Sequence, residues 1–450
     1  MGKLFGTDGI RGVANVYPMT VEIALAAGKV VGNYFQSTEN GSCRGHIVMG
    51  RDTRVSGAML TQAFAAGACA AGVDVWMLGI LPTPGIARLT GASGALAGVV
   101  ISASHNPFED NGIKLFNSDG YKLSDPVEAE IEARLLGDGE APVAVPRNIG
   151  RVNQVDDAGE QYLDAICGAM GDLSLNPCSV VIDCANGATY ETAPVLFQRL
   201  GAQVTTLFGS PDGTNINDQC GSQHPETLAE SVVRQNADVG LAFDGDGDRL
   251  IAVDETGQVL SGDQIMVVCA NDLKQRGALK NNMVVSTVMS NLGFGLALER
   301  LGICWCSTQV GDRYVMETML AEGAVLGGED SGHLIFHELN TTGDGMVAAV
   351  QLLVAMKRAG RPLSELARIM TVYPQVLVNV PVKTKPDLAT LPDIQAVIDR
   401  VEKALDRHGR VLVRYSGTQD MCRVMVEGPT NETTHAHCQE IVEAVRRAIG

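Results

Sequence analysis

Val239-Gly240-Leu241-Ala242-Phe243-Asp244-Gly245-Asp246-Gly247-Asp248-Arg249-Leu250-Ile251-Ala252-Val253 is the stretch on which the fold turns. Three carboxylates alternate with two glycines, so a tight backbone can aim all three at one cation, and hard oxygen ligands select magnesium or calcium. Two architectures compete for this pattern. In an EF-hand, Asp244, Asp246 and Asp248 take loop positions one, three and five, Ile251 position eight and Glu255 position twelve. The sixth position, which needs glycine for its sharp turn, is Arg249. The flanks Leu241-Ala242-Phe243 and Leu250-Ile251-Ala252-Val253 read as strands rather than helices. The stretch is therefore expected to be a strand end delivering a metal-binding loop.

Outward from it, the same layout occurs three times. Upstream of the loop, Val180-Val181-Ile182-Asp183 is a strand, followed by a helix ending at Leu200-Gly201 and by Ala202-Gln203-Val204-Thr205. Earlier in the chain, His46-Ile47-Val48-Met49-Gly50 leads to an Ala-rich helix reaching Ala71, then to strands at 73–78 and 96–101, the last delivering Ser104-His105-Asn106-Pro107. Later, Met283-Val284-Val285-Ser286, a helix closed by Leu301-Gly302, Ile303-Cys304-Trp305-Cys306 and Ala324-Val325-Leu326 end in Gly327-Gly328-Glu329. Cys304-Trp305-Cys306 is expected on a buried strand. From about 375 the pattern changes to strand 376–380, helix 392–408, two strands flanking Ser416-Gly417-Thr418 and a terminal helix from about 433.

This predicts an α/β protein of three similar α/β domains with mixed sheets, then a smaller C-terminal α+β domain, all facing one central cleft. The expected domains are 1–156, 157–256, 257–370 and 371–450.

The 450 residues are 45% hydrophobic and 19% charged, ordinary globular composition. Thirty-four Lys and Arg against 52 Asp and Glu give a net charge of −18, which opposes nucleic acid and anionic membrane as partners. No apolar run is long enough to span a bilayer and the N-terminus has no signal-peptide core, so a cytoplasmic location is expected. Eleven cysteines without a CxxC pair indicate reduced thiols.

The other loops add chemistry of different kinds. Ser104 at a strand end can be a nucleophile, but a lone serine needs a base or metal, and a plain turn is the competing reading. Ser102 is a rival for the same role. Glu329 and Ser331 suit sugar hydroxyls, and His333 can exchange a proton near neutral pH. Arg414, Ser416, Gly417 and Thr418, with Arg423 on the next strand, could surround a phosphate. Magnesium on three carboxylates keeps positions open for a phosphate oxygen, which a phosphoserine would supply.

Together, Ser102 to Pro107, Asp244 to Arg249, Gly328 to His333 and Arg414 to Thr418 resemble, in order, the phosphoserine, metal, sugar and phosphate loops of the α-D-phosphohexomutase superfamily. Three segments are further similar to its bacterial phosphoglucosamine mutase branch: Phe5 to Gly12, Ala242 to Arg249 and Val310-Gly311-Asp312-Arg313-Tyr314-Val315. Gln419-Asp420 and Asp330 depart from the usual pattern. The resemblance implies an isomerase that interconverts glucosamine 6-phosphate and glucosamine 1-phosphate through a 1,6-bisphosphate, feeding amino-sugar nucleotide and cell-wall precursor synthesis. It further implies one Mg2+ held by Asp244, Asp246, Asp248 and phosphorylated Ser104, with Lys114, Arg249 and Arg11 as cations around the moving phosphoryl group. His333, Lys114 and His105 compete as general acid or base. A kinase or a sugar 1,6-bisphosphate would prime Ser104, and the fourth domain would close on its linker near 371–374. A phosphomannomutase or phosphoglucomutase, or a calcium- or phosphosugar-binding protein without turnover, are the alternatives. The oligomeric state is not legible.

Overall fold

The computed structural model describes residues 4–6, 8–38, 45–137, 141–416 and 420–450. They form two units, Met1–Val288 with Cys304–Ala367, and Met289–Ile303 with Arg368–Gly450.

The first unit contains three sheets that share one four-strand plan. In the seven-stranded sheet the plan is carried by His46–Arg51, Asp74–Ile80, Ala97–Ile101 and Asp110–Asn117. The five-stranded sheet repeats it with Ser179–Asp183, Gln203–Leu207, Val239–Phe243 and Leu250–Asp254. Met283–Thr287, Cys304–Thr308, Leu326–Gly328 and Leu334–Phe336 make the third. In each, the first strand lies between the second and third and runs parallel to both. The fourth returns antiparallel beside the third. The mixed sheets follow from this return strand.

Ala97–Ile101 and Val239–Phe243 are buried along their whole length, as expected for strands covered on both faces. Helices supply the cover, including Val55–Ala70, Thr83–Ser93, Glu226–Gln235 and Gly345–Ala359. Asp344 caps the last of these by accepting from Val347 N at 3.0 Å, and the buried Tyr162 hydroxyl donates to the same carboxylate at 2.9 Å. Cys304–Thr308 is an edge strand with Cys304 exposed, not the buried strand expected from its apolar residues. Only one neighbour strand covers it, so its outer side meets solvent.

In the second unit, Met421–Glu427 is the central strand between Gln375–Pro381 and Arg410–Tyr415, all antiparallel. Helices Pro392–Leu405 and Asn431–Ile449 cover it around Val380, Val424, Val426, Ile441 and Val445. The first of these helices stops three residues short of the expected 408, because Asp406 adopts a positive φ of 46° and a 3-10 turn follows. Met289–Ile303, expected in the third domain, groups with this unit. Its Asn291 side chain and Leu292 amide donate to the buried Glu427 carboxylate at 3.2 and 3.0 Å.

Candidate active site

The shared plan puts the three chemical loops at one topological position, between the third strand and its antiparallel return. They are 102–109, 244–249 and 329–333. The ends of parallel strands are where α/β folds bind ligands.

Asp244, Asp246 and Asp248 are buried, and one oxygen from each lies within 4.8 Å of the others. Gly247 lets the loop turn with φ 72°, a region costly for residues with a Cβ, and a methyl there would also meet Thr189 Cγ2 at 2.6 Å. The Gly247 amide donates to Asp244 O at 3.0 Å and the Arg249 amide to Asp244 Oδ1 at 3.1 Å. Asp246 Oδ1 and Asp248 Oδ1 are buried with no hydrogen-bond partner among the described residues. Burial, then Asp248 and Asp246, push the Asp244 carboxyl well above the usual range. Burial acts the same way on Asp248, but Lys114 and His333 outweigh it and hold that carboxyl well below. Three buried acids, two of them with an unsatisfied oxygen, fit a divalent cation, which would relieve both the desolvation and the repulsion. The flanking strands, paired from Val239↔Asp254 to Phe243↔Leu250, exclude an EF-hand.

Ser104 joins this cluster from 140 residues away. Its hydroxyl donates to Asp244 Oδ2 at 2.6 Å and lies 3.2 Å from His105 Nδ1. Ser102 points elsewhere, its hydroxyl donating to Asp52 Oδ2 at 2.6 Å and accepting from the Ser104 amide at 3.0 Å. Of the two serines, only Ser104 faces the carboxylates.

Lys114 projects from the return strand Asp110–Asn117 and donates to Asp246 Oδ2 at 2.8 Å, with Asp8 at 3.1 Å and Asp248 at 3.7 Å. Burial lowers its pKa, but Asp246, Asp8 and Asp248 outweigh that and raise it. Arg11 pairs with Asp8, and Arg249 Nε lies 3.8 Å from Asp248 Oδ1. His105 is pushed down to about 4, by burial first and then by Arg249 and Arg11, so its imidazole is neutral near pH 7.

The third loop touches the second directly. The Leu250 amide donates to Gly332 O at 2.9 Å, and His333 Nδ1 lies 3.6 Å from Asp248 Oδ2. His333 Nε2 accepts from the Gly343 amide at 3.1 Å and lies 3.3 Å from Asp312 Oδ2. Burial lowers the His333 pKa, and Asp248 and Asp312 outweigh it and raise it. Glu329 accepts from the Gly311 amide at 3.2 Å, its carboxyl raised by burial, while Ser331 is exposed.

In the second unit, Arg414 and Arg423 stand directly opposite each other on neighbouring strands. Like charges in that position repel, and burial followed by Arg423 lowers the Arg414 pKa. Arg423 Nε is buried without a hydrogen-bond partner among the described residues. An anion between them would satisfy both. Lys385 Nζ donates to Ser416 O at 3.3 Å beside this pair. Gly417 and Thr418 lie outside the described residues.

Several site residues were not singled out from the sequence. Thr83 donates to Asp246 from both its hydroxyl, at 2.6 Å, and its amide, at 2.9 Å. Lys122 bridges Asp8 and Asp312. Asp8 and Asp312 did carry a signal, because both fall in segments that resemble the glucosamine branch. Thr83, Lys122 and Lys385 carried none.

Gly245 fits the serine loop against the metal loop. A Cβ there would meet Ser104 O at 2.6 Å and Asn217 Nδ2 at 2.7 Å. Gly245→Ala must displace backbone on one side, so a destabilisation of about 1–3 kcal/mol and a drop in turnover of about 10²-fold are expected. Thermal melting and steady-state kinetics check this, and a variant with normal turnover would show that the close approach is unimportant.

The chain matches "Phosphoglucomutase/phosphomannomutase, alpha/beta/alpha domain I" over residues 2–141, domain II over 160–257, domain III over 261–373 and the C-terminal domain over 377–444. It is 55% identical to the phosphoglucosamine mutase of Syntrophus aciditrophicus over 456 residues, covering 100% of both chains. It is 51% identical to that of Syntrophobacter fumaroxidans, again covering 100% of both. Among solved structures, a phosphoglucomutase/phosphomannomutase family protein from Burkholderia thailandensis superposes with a TM-score of 0.81 at 25% identity, over 98% of this chain and 97% of that one. The N-acetylphosphoglucosamine mutase of Aspergillus fumigatus, solved with GlcNAc-6P and magnesium, has a TM-score of 0.68 at 19% identity, over 99% and 96%. Among the described residues no helix is long and apolar enough to cross a membrane. With four domain matches in order and full-length relatives at about half identity, the chain belongs to the phosphoglucomutase/phosphomannomutase family of phosphohexomutases, which are isomerases.

Proposed function

We propose that the protein is a phosphoglucosamine mutase, which interconverts glucosamine 6-phosphate and glucosamine 1-phosphate with Ser104 as its phosphoryl carrier. The observation that carries the reaction type is the Ser104 hydroxyl at 2.6 Å from Asp244 within a buried three-carboxylate cluster. Full-length relatives at about half identity carry the choice of substrate.

In the first half-reaction the bond between phosphorus and Ser104 Oγ breaks and one forms to a substrate hydroxyl oxygen, giving a sugar 1,6-bisphosphate. In the second, the other phosphate of that intermediate transfers to Ser104 Oγ, restoring the carrier. Asp244, Asp246 and Asp248 would hold Mg2+, which would supply neutralisation of charge on the moving phosphoryl group. Lys114, Arg249 and Arg11 add fixed positive charge around it. In the first half-reaction His333 takes the proton of the attacking substrate hydroxyl and the departing Ser104 Oγ takes one from His105; in the second, Ser104 Oγ–H returns its proton to His105, 3.2 Å away, and His333 gives its proton to the departing sugar oxygen. Glu329 and Ser331 orient sugar hydroxyls. The phosphate not in transfer is assigned to Arg414, Arg423 and Ser416, with Gly417 and Thr418 completing that loop. Cytoplasmic location and priming by a bisphosphate or a kinase belong to the same reading.

The test is turnover of glucosamine, mannose and glucose 6-phosphates by the purified protein. A kcat/KM for the glucosamine compound at least about tenfold above the others is expected, the discrimination available to a site that hydrogen-bonds one substituent. Preference for mannose or glucose phosphate replaces the reading by phosphomannomutase or phosphoglucomutase, and no turnover of any of the three rejects it.

A further inference from the structure

We infer that Asp52, Arg54 and Asn217 are positioning residues that hold the backbone of Ser104 for phosphoryl transfer; this rests on the reading of Ser104 as the carrier. Ser104 adopts φ 53°, a left-handed conformation that a residue with a Cβ keeps only where its surroundings over-determine it. Here they do. The Ser104 carbonyl accepts from Arg54 Nη2 and from Asn217 Nδ2, each at 2.9 Å, and the amide donates to Ser102 Oγ at 3.0 Å. Both backbone polar atoms are therefore pinned by side chains, while Oγ is left to the carboxylates and His105.

Arg54 organises the whole loop. Its side chain is fully buried, as is that of Asp52. A guanidinium has five N–H donors, and five bonds are present. Nε donates to Asp52 Oδ2 at 2.8 Å, Nη2 also to Asn106 O at 2.8 Å, and Nη1 to Asp110 O at 3.0 Å and to Pro107 O. Asp52 in turn accepts from the Arg54 amide at 2.9 Å and from Ser102 at 2.6 Å. Asn217 adds a second bond to Asn106 O at 3.0 Å. The ion pair is internally neutral, so its contribution beneath the loop is geometry rather than net charge.

The chemistry gives this geometry a purpose. Ser104 Oγ must act as leaving group in one half-reaction and as nucleophile in the other, and the loop gains and loses a dianionic group between them. A loop anchored through Oγ would relax with each transfer. The anchors on Ser104 itself are on its backbone, so none of them uses the oxygen that carries phosphate. In-line transfer is sensitive to such placement, with displacements near an ångström costing about 10²-fold in rate.

Two full-length variants test the inference. Arg54→Lys keeps the charge facing Asp52 but cannot reproduce the fork, and Asn217→Gly removes only the carboxamide at a position whose φ of 60° suits glycine. The readouts are kcat and KM for glucosamine 6-phosphate, and single-turnover transfer from phosphorylated Ser104 per folded, phosphorylated molecule. For Arg54→Lys, kcat and single-turnover transfer are expected to fall together by about 10- to 100-fold, with KM within about threefold. For Asn217→Gly the fall is about 3- to 10-fold. If Arg54→Lys does not fold, Asn217→Gly decides alone. Single-turnover rates equal to wild type, with only a lowered melting temperature, overturn the inference and leave the clamp a structural feature. A wild-type chain that never carries phosphate on Ser104 and does not turn over overturns the carrier reading as well, and intact-mass analysis separates the two failures.

Discussion

Replacing Ser104 by alanine is expected to lower mutase turnover by about 10⁴-fold or more, because the variant has no oxygen to carry the phosphoryl group between the two half-reactions. The fold should persist. Ser104 is 1% exposed, and the change removes one methyl-sized polar group whose backbone is held independently by Arg54, Asn217 and Ser102. What is lost is the 2.6 Å hydrogen bond to Asp244 Oδ2, and a buried acceptor deprived of its donor costs about 1–3 kcal/mol. A coupled turnover assay and a thermal melt measure the two effects separately, and intact-mass analysis reports whether added bisphosphate still phosphorylates the chain. Wild-type activity in Ser104→Ala would remove Ser104 from the mechanism and leave the carboxylate cluster without its proposed phosphate partner.

Stripping the divalent cation should be nearly as damaging. Neutralisation of transferring phosphate by a metal is worth several kcal/mol, so chelation is expected to reduce turnover by about 10³-fold or more, reversibly on adding Mg2+. The cation should also stabilise the protein, by about 2.7 kcal/mol at a concentration a hundredfold above its Kd, and Asp246→Asn should largely abolish that gain.

The pH dependence has a definite sign. Without metal, burial and then Asp248 and Asp246 raise the Asp244 carboxyl well above its usual range. An acid with a raised folded-state pKa contributes stability below its unfolded value, about 3.9, and loses it as pH rises through the raised value. The metal-free protein should therefore weaken as pH rises across that interval, while the loaded protein does not, since the cation competes with the proton for the same oxygens. The Mg2+-induced rise in melting temperature is expected to be larger at about pH 8 than at about pH 5. Asp248 has the opposite shift, its carboxyl held low against burial by Lys114 and His333, so its contribution is present above the usual carboxylate range and lost only below it. The two effects occupy different pH windows. A metal-induced shift independent of pH would mean that Asp244 is ionised throughout.

Much of the fold was legible because its signals are local. Apolar runs ending in polar loops mark each third strand, and the strands expected at 46–50, 180–183, 239–243 and 283–286 are present within a residue or two. Helix ends were read less well where the stop is a single backbone torsion, as at Asp406. The burial of Cys304-Trp305-Cys306 was misread because a strand's apolar residues do not report whether it has one neighbour or two.

For the site, the triad was legible from its spacing, since three ligands for one ion are supplied by five adjacent residues. Ser104 was only a candidate until its distant partner was in view. Thr83 and Lys114 reach Asp246 across 163 and 132 residues, and Asn217 reaches Ser104 across 113. No periodicity or spacing encodes such contacts. The sequence by itself therefore determined the family, the repeated strand-and-loop plan and the acidic triad, all of which depend on neighbours in the chain. Only the tertiary structure decided which serine faces the carboxylates, which lysine is buried against Asp246, and that a buried Arg54 lies beneath the serine loop. Those properties arise from desolvation and from distances between segments that meet only when the sheets have packed.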